Sequence, residues 1–394
     1  MKDEIVIISA ARTPIGRFGG SLKSISSGHL GAIVIEEAIK RAGITPEIVD
    51  EVILGEVRQT TESSNVARVS ALRAGIPETS PAFTVNRLCA SGMQAITSGI
   101  QEIQSGQAEI IVAGGTENLS RAPIYLRNSR FGEGVPTLID SNLENGQQPI
   151  ELYGSQLGMG VTAENVAEKY NILRSDQDQF AFDSQQKAAN AIKKGIFTDE
   201  IVPVEVKEKK QTSLFEEDEH PRPQTTLNAL ERLKPVFKQS GTVTAGNACG
   251  RNDGSAAMVI MSLAKAKSLG LTPLAKIVNW SSCGVSPEYM GIGPVPAIQT
   301  LLQRTNKKLS EVGLIELNEA FASQSLAVIR EANLDAERVN VNGGAIALGH
   351  PLGATGCRIM TTLLYEMKRR EERLGIASLC VGGGQGMAIM LELV

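Results

Sequence analysis

Two cysteines and a histidine stand where side chains can meet a substrate. Cys89 lies in FTVNRLCASGMQAI, His350 in NVNGGAIALGHPLGATG and Cys380 in IASLCVGGGQG. Each follows a short apolar, strand-like run and is flanked by glycine or other small residues. Two thiols and an imidazole at the mouths of strands suit acyl transfer through a covalent thioester. One cysteine is the nucleophile, the histidine keeps it as thiolate, and the second cysteine is free to move a different proton. Cys89 is followed by Ala90, Ser91 and Gly92 and then a helix-like run. A thiol just ahead of a helix N-terminus sits in positive potential, so a lowered pKa is expected there.

His350 is surrounded by glycines, whose backbone freedom costs stability in regular structure. Close approach of a ligand is the use expected of such a loop. Asn318, in LNEAFA, stands just past an apolar run. It could orient a water or a carbonyl oxygen, or simply serve a turn or a helix cap. The GGGQG that follows Cys380 lacks the spaced G-x-G-x-x-G form and the acid about 20 positions on, so it is weak support for nucleotide binding. Cys249, Cys283 and Cys357 have no comparable setting and read as structural, and Trp280 reads as a packing residue. The charged stretch from Val206 to Glu219 reads as solvated surface.

The elements that must position these groups repeat. EIVIISAA (residues 4–11) is strand-like and leads to the helix-like HLGAIVIEEAIKRAG, in which Leu30, Ile33, Val34 and Ala38 share a face and Gly43 suits the C′ position. Thr45 is expected to cap a short helix with Pro46 at N1, ahead of the strand VDEVILGEV. PAFTVN, the helix after Cys89 and the strand AEIIVAGGTEN complete the first series. The second half runs in the same order: strand LAKIVNWSSCGV, a helix opened by Pro296, strand GLIELNEAF, a glycine-rich loop, a helix starting near Ala354, and IASLCVGGGQG. Cys89 and His350 thus occupy comparable places, which points to duplication of an α/β unit whose strand ends meet at a shared site. Residues 121–245 look different and read as an insertion folded over the core, presenting a surface for the larger part of a substrate. Within it, Ser175 and Asp178 form an S-x-x-D capping pattern for a helix ending at Gly195.

Composition excludes several classes. The chain has 394 residues, 42% hydrophobic and 21% charged, with a formal net charge of -4. No basic surface argues for nucleic acid or an anionic membrane. No run approaches the about 18 apolar residues of a membrane span. The N-terminus is strand-like rather than a targeting peptide, and MLELV is no retention or peroxisomal address. Five cysteines without a CxxC pair argue against a disulfide framework or zinc knuckle and for a reducing cytoplasm. Three histidines make a His-rich metal site improbable.

Over nearly its full length the chain resembles the thiolase family. The matching blocks are SAARTPIGRFGG, NRLCASG, AGGTENLS, GTVTAGNACGRNDG, MGIGP, LNEAFA, NVNGGAIALGHPLGATG and CVGGGQG. The resemblance implies an α/β fold: two duplicated α/β halves in a layered α-β-α-β-α core with an inserted loop domain. On this chain the first half would be residues 1–120 with 246–271, the loop domain covering the CoA site 121–245, and the second half 272–394. It implies cleavage of 3-ketoacyl-CoA by CoA to acetyl-CoA and a shortened acyl-CoA, or the reverse Claisen condensation, as in fatty acid metabolism. Coenzyme A is then a substrate, and no metal or redox cofactor is needed.

By the same resemblance Cys89 is the nucleophile that takes the acyl group. His350 activates it and helps bind the thioester oxygen, and Asn318 holds a water in that first oxyanion hole. Cys380 exchanges the α-proton of acetyl-CoA. The backbone N–H groups of Cys89 and Gly382 form a second oxyanion hole. Arg222 matches an arginine near the CoA nucleotide. Met159, Phe237, Met290, Ala320 and Phe321 match the pantetheine and acyl tunnel. Four positions depart from short-chain biosynthetic members: Gly158 stands for a histidine, Ala229 for a serine near CoA, Cys249 for a serine, and Ala90 for a glycine. Gly158 is expected to open space at the acyl end, and DEHPRPQTTL and GGTENLS look more like the mitochondrial-type 3-ketoacyl-CoA thiolases. A homodimer or homotetramer in the cytoplasm is expected, binding acyl-CoA and CoA but neither nucleic acid nor membrane. Two alternatives are a decarboxylating ketoacyl synthase, against which Cys380 and the few histidines argue, and a non-catalytic acyl-CoA or lipid-binding relative.

Overall fold

The computed structural model describes residues 4–132, 134–208 and 211–394. The first half runs β1 (Ile5–Arg12), the short β2 (Gly16–Arg17), α1 (Ser27–Ala42), β3 (Glu51–Gly55), α2 (Val66–Arg73), β4 (Ala82–Val85), α3 (Ser91–Ser105) and β5 (Ile110–Asn118). An intervening region holds the hairpin β6 (Ile124–Arg127) and β7 (Thr137–Asp140), then α4 (Ile150–Tyr153), α5 (Met159–Lys169) and α6 (Arg174–Lys193). It ends with a second hairpin, β8 (Val204–Glu208) and β9 (Gln211–Phe215), and α7 (Leu227–Glu231). The chain returns to the first half through β10 (Asn252–Ser262) and α8 (Leu263–Ser268). The second half is β11 (Ala275–Gly284), α9 (Pro294–Thr305), β12 (Leu314–Leu317), α10 (Ala322–Glu331), α11 (Ala345–Leu348), α12 (Leu352–Arg370), β13 (Leu374–Val381) and β14 (Gln385–Leu393).

Sheet topology displays the duplication. The first half has the order β4-β3-β5-β10-β1 and the second β12-β13-β14-β11. The second half supplies a counterpart of β4 as a single parallel bridge, Ile315 to Val339. Polarities also agree: β3 is parallel to β4 and β5, and β12 to β13, while β10 and β14 run antiparallel to their neighbours. The halves join where β1 meets β11 through Ile5, Val6 and Ile7.

Alternation along the strands builds the layers. In β1, Ile5 and Ile7 face a central core while Val6 faces an outer one, and β3, β5 and β10 divide the same way. The central core contains α3 and α12 residues such as Met93, Ile96, Cys357 and Met360, together with strand residues of both halves. Outer cores lie under α1 and α2 on one side and under α9 and α10 on the other. The result is an α-β-α-β-α stack with α3 and α12 in the middle. These helices approach closely because their contact is made of small residues. A Cβ on Gly92 would meet the Gly353 carbonyl oxygen at 2.8 Å, and one on Gly356 would strike Met93.

Several local expectations change. The helix α6 starts at Arg174 with Leu173 as N-cap, and Ser175 makes no cap. Asp178 is claimed elsewhere, by Arg174 Nε at 2.7 Å and Asn247 Nδ2 at 2.9 Å. Thr45 precedes a turn of 3₁₀ helix but its side chain caps nothing. The helix expected from Pro296 begins two residues earlier at Pro294. Ile33 is only half-buried, unlike Leu30, Val34 and Ala38. The GGGQG segment is the β13–β14 turn, with Gly383 and Gly384 at positive φ.

The segment from Val206 to Glu219 is only partly solvated; Lys209 and Lys210 lie outside the described residues. Val206 and Asp218 are buried, and Asp218 accepts two hydrogen bonds from the buried guanidinium of Arg12, at 2.8 and 2.9 Å. Glu200 completes that ion cluster, bound to Arg12 Nε at 2.6 Å.

Candidate active site

Cys89 sits on a tight turn between β4 and α3. Leu88 there has φ +47°, a conformation that costs a residue with a side chain roughly 1 kcal/mol. Local hydrogen bonds hold it. Asn86 Oδ1 accepts from Leu88 N at 2.9 Å, and Ser91 Oγ accepts from Arg87 N at 2.9 Å while donating to the Leu88 carbonyl at 2.7 Å. Gly55 at the end of β3 leaves room for this turn, since a Cβ there would meet Ser91 backbone carbon at 2.5 Å.

His350 ends the loop ahead of α12. Its backbone N–H donates to Asn252 Oδ1 on β10 at 3.0 Å, and its neighbour Gly349, at φ +104°, lies against the same asparagine. The imidazole Nδ1 is 2.7 Å from Thr355 Oγ1. That hydroxyl already donates to the Pro351 carbonyl at 2.9 Å, so it accepts from Nδ1–H. The neutral tautomer is thereby set, and the Nε2 lone pair has no protein partner. Burial first, then the charge of Arg358, lowers the histidine pKa to about 3.

Cys380 is the last residue but one of β13, and Gly382, two residues on, aims its N–H at the Cys89 sulfur. Burial pushes the Cys89 pKa up to about 11, opposite to the lowering expected from the helix N-terminus. The reason is physical: the thiol is walled by protein, and the hydrogen bonds from Gly382 and its own N–H offset only part of the desolvation. The cavity therefore holds a neutral thiol and a neutral imidazole, rather than a preformed thiolate. Burial likewise raises the Cys380 thiol, further helped by proximity to Cys89 and Cys249.

One cavity of about 420 Å³ gathers most of these groups: Cys89, His350, Cys380 and Gly382 line it with Met159, Phe237, Cys249, Met290, Ala320 and Phe321. Phe237 and Phe321 meet edge to face with centroids 6.2 Å apart, and Gly160 provides the floor under the Phe237 ring. A second cavity of about 470 Å³ shares Phe237, Ala248, Cys249 and Gly250 with the first. Arg222 and Ala229 line this second chamber, where burial and the Arg222 charge lower the His220 pKa to about 4. Cys249, read from its setting alone as structural, therefore stands at the wall common to both. Cys283 is half-buried against Thr300, Cys357 is in the central core, and Trp280 packs beside it.

Asn318 does not line the cavity. It is buried after β12, its backbone N–H donating to Ser378 at 2.9 Å, two residues before Cys380. Both side-chain amide atoms lack protein partners, which rules out the turn or cap reading. Sequence reasoning overlooked Thr355, Asn252 and Glu117. Glu117 accepts from Val57, Arg58 and Gly353 backbone N–H groups, tying α12 to the first half. A polar residue inside an apolar strand was the only signal for it.

Two family models cover the chain: the thiolase N-terminal domain over residues 5–264 and the thiolase C-terminal domain over residues 271–393. An acetyl-CoA acetyltransferase of Cupriavidus necator is 50% identical over 392 residues, 99% of each chain. One of Pseudomonas aeruginosa is 51% identical over 391 residues, 98% of this chain and 99% of its own. The crystal structure of the Bacillus anthracis acetyl-CoA acetyltransferase superposes with TM-score 0.96 at 48% identity, covering 100% of this chain and 99% of the other. Human mitochondrial 3-ketoacyl-CoA thiolase in complex with CoA superposes with TM-score 0.94 at 45% identity, covering 100% and 98%. With the duplicated layers, the shared cavity and these matches together, the chain belongs to the thiolase family.

Proposed function

We propose that this chain is a CoA-dependent thiolase that works through an acyl-Cys89 intermediate. In thiolysis the Cys89 sulfur attacks the 3-keto carbon of a 3-ketoacyl-CoA while its proton passes to His350 Nε2. The oxygen that gains charge is held by the Cys89 and Gly382 N–H groups, donors of a kind whose loss typically costs about 3 kcal/mol. The Cα–Cβ bond then breaks, and the acetyl-CoA enolate carbon takes its proton from the Cys380 thiol. A second CoA thiol attacks the acyl-Cys89 carbonyl and releases the shortened acyl-CoA. Condensation follows the same steps in reverse.

The observation that carries this reading is that Cys89, His350, Cys380 and the Gly382 N–H line a single cavity. Burial keeps Cys380 protonated, which suits delivery of a proton to carbon. The partnerless His350 Nε2 in the cavity supports a thioester oxygen site there, and the buried, partnerless Asn318 amide supports a bound water. Arg222 in the adjoining chamber supports a CoA nucleotide on that side, with pantetheine passing Phe237, Cys249 and Phe321. A homo-oligomer is part of the same proposal, supported by Leu126, Phe131 and Leu138, which are exposed on and near the β6–β7 hairpin. A cytoplasmic site of action is also proposed; no helix among the described residues is long and apolar enough to cross a membrane.

The test is loss of acetoacetyl-CoA absorbance on adding CoA, extended along a ladder of longer 3-ketoacyl-CoA chains. Thiolysis with ping-pong kinetics is expected. No turnover of any chain would favour an acyl-CoA-binding relative instead.

A further inference from the structure

Beyond Cys89, the cavity changes character. The wall shared with the Arg222 chamber holds Phe237, Ala248, Cys249 and Gly250, whereas the part not shared with it includes Arg58, Asn142, Asn145, Gln147 and Gln156. An acyl tunnel for plain hydrocarbon chains has no use for five such side chains, because polar groups facing an alkyl chain lose water without gaining a partner. Their hydrogen-bonding capacity is largely unspent. Asn142 gives its Nδ2 to the Leu119 carbonyl, but Arg58 Nε and Gln147 Oε1 are buried without partners.

The charge at that end is also unbalanced. Arg121 and Arg127 are each tied to a carboxylate, Glu62 and Glu144, yet Arg58 belongs to no ion pair among the described residues. Glu144 is the one acid on the cavity wall, and Arg127 Nη2 holds both its oxygens at 2.9 and 3.1 Å. Glu117 lies near enough to feel Arg58, but its oxygens are occupied by three backbone N–H groups. The guanidinium is also close enough to Cys89 to favour its thiolate. A planar cation within reach of the nucleophile, sharing the cavity wall with four amides and making no direct ion pair with the nearby Glu117, is matched to a carboxylate. Gly158 adds to the room at this end, since a Cβ there would press on Asn145 Oδ1 at 3.0 Å.

We propose that the acyl end of this cavity receives 3-oxoacyl-CoA chains ending in a carboxylate, with Arg58 as the residue that reads the terminal anion. This rests on the thiolase reading above and names the substrate class within it. The reaction supplying such a thioester must oxidise the 3-hydroxyl of a dicarboxylic acyl-CoA or activate a 3-oxo dicarboxylic acid. Cleavage would release acetyl-CoA and a dicarboxylic acid monothioester.

The experiment compares chains matched in length, 3-oxohexanoyl-CoA with 3-oxohexanedioyl-CoA and 3-oxooctanoyl-CoA with 3-oxooctanedioyl-CoA, in the full-length protein and in Arg58→Met. In at least one pair the wild type is expected to favour the carboxylate-ended chain in kcat/KM by about tenfold or more. Arg58→Met is expected to cut that preference at least tenfold, mainly through KM, and Arg58→Lys to restore part of it. A wild type that favours the unsubstituted chain in both pairs overturns the proposal, as does an Arg58→Met variant, folded by circular dichroism, that keeps the wild-type ratio. If acetoacetyl-CoA and the unsubstituted chains are cleaved while the carboxylate-ended ones are not, only the substrate class fails. If no chain is cleaved, the thiolase reading fails with it.

Discussion

The two halves of this molecule put different side chains at the same places on one scaffold. After its parallel strand β12 the second half carries Asn318, and at the end of the neighbouring β13 it carries Cys380, with Gly382 just beyond. At the corresponding strand ends the first half carries Glu56 and, two residues past Gly115, Glu117. Both acids are buried; Glu117 is occupied with structure, whereas neither Glu56 oxygen has a hydrogen-bond partner. Glu117 fastens the start of α12, and burial together with Glu117's charge pushes the Glu56 pKa up to about 8. The Glu117 pKa is itself raised to about 6, chiefly by burial. The helix-opening loops differ too. The first half makes a short strained elbow at Cys89, and the second a longer loop, with α11 inside it, at His350. Duplication thus supplied geometry twice, and under the proposed mechanism the chemistry divides: the first half gives the nucleophile, the second the proton carriers.

Removing the nucleophile breaks the comparison most severely. Cys89→Ala is expected to lower thiolysis by about 10⁴-fold or more with the fold intact, as measured by acetoacetyl-CoA turnover and circular dichroism. Residual activity near wild type would show that the first half does not contribute the acyl acceptor.

The seam between halves is the next most sensitive place. A Cβ on Gly115 would run into the Gly353 backbone, for which no rotamer change compensates. Gly115→Ala should destabilise by roughly 3 kcal/mol in denaturant unfolding, at the upper end of overpacking costs.

Thr355→Val sharpens the account of the second half. It removes the acceptor for His350 Nδ1–H while keeping shape, which should lower kcat about tenfold and leave KM nearly unchanged. An unaltered kcat would mean that the tautomer is set by something else.

The smallest effect concerns the buried acids. Glu56 has a folded pKa raised from 4.5 to about 8, so the folded state holds its proton more tightly than the unfolded chain does. The native state is then penalised progressively as pH climbs from about 4.5 to about 8, fully above that range and not at all below it. Glu56→Gln should remove this falling limb, so that the melting temperature falls less across the interval than in the wild type. An identical pH dependence in both proteins would indicate that Glu56 is charged and solvated.

Much of this was legible in linear form because it rests on local patterns. Short apolar runs marked β1, β3, β5 and β11, and Gly43 marked the end of α1, where it adopts φ +67°. The glycine settings of Cys89, His350 and Cys380 drew attention because such loops are uncommon away from sites. The capping pattern at Ser175 misled because Asp178 was recruited by Asn247, 69 residues away. The charged segment misled similarly, since Asp218 finds Arg12 across 206 residues.

By itself, the sequence determined the strand and helix order, the repeat and the reactive side-chain types, all set by short-range periodicity and steric preference. Tertiary structure alone decided which proton each group holds. Burial raised the Cys89 thiol against its helix, a hydroxyl from α12 chose the histidine tautomer, and the fold left Arg58 without a direct ion pair among the described residues. Desolvation and partner choice depend on residues distant along the chain, and only folding brings those together.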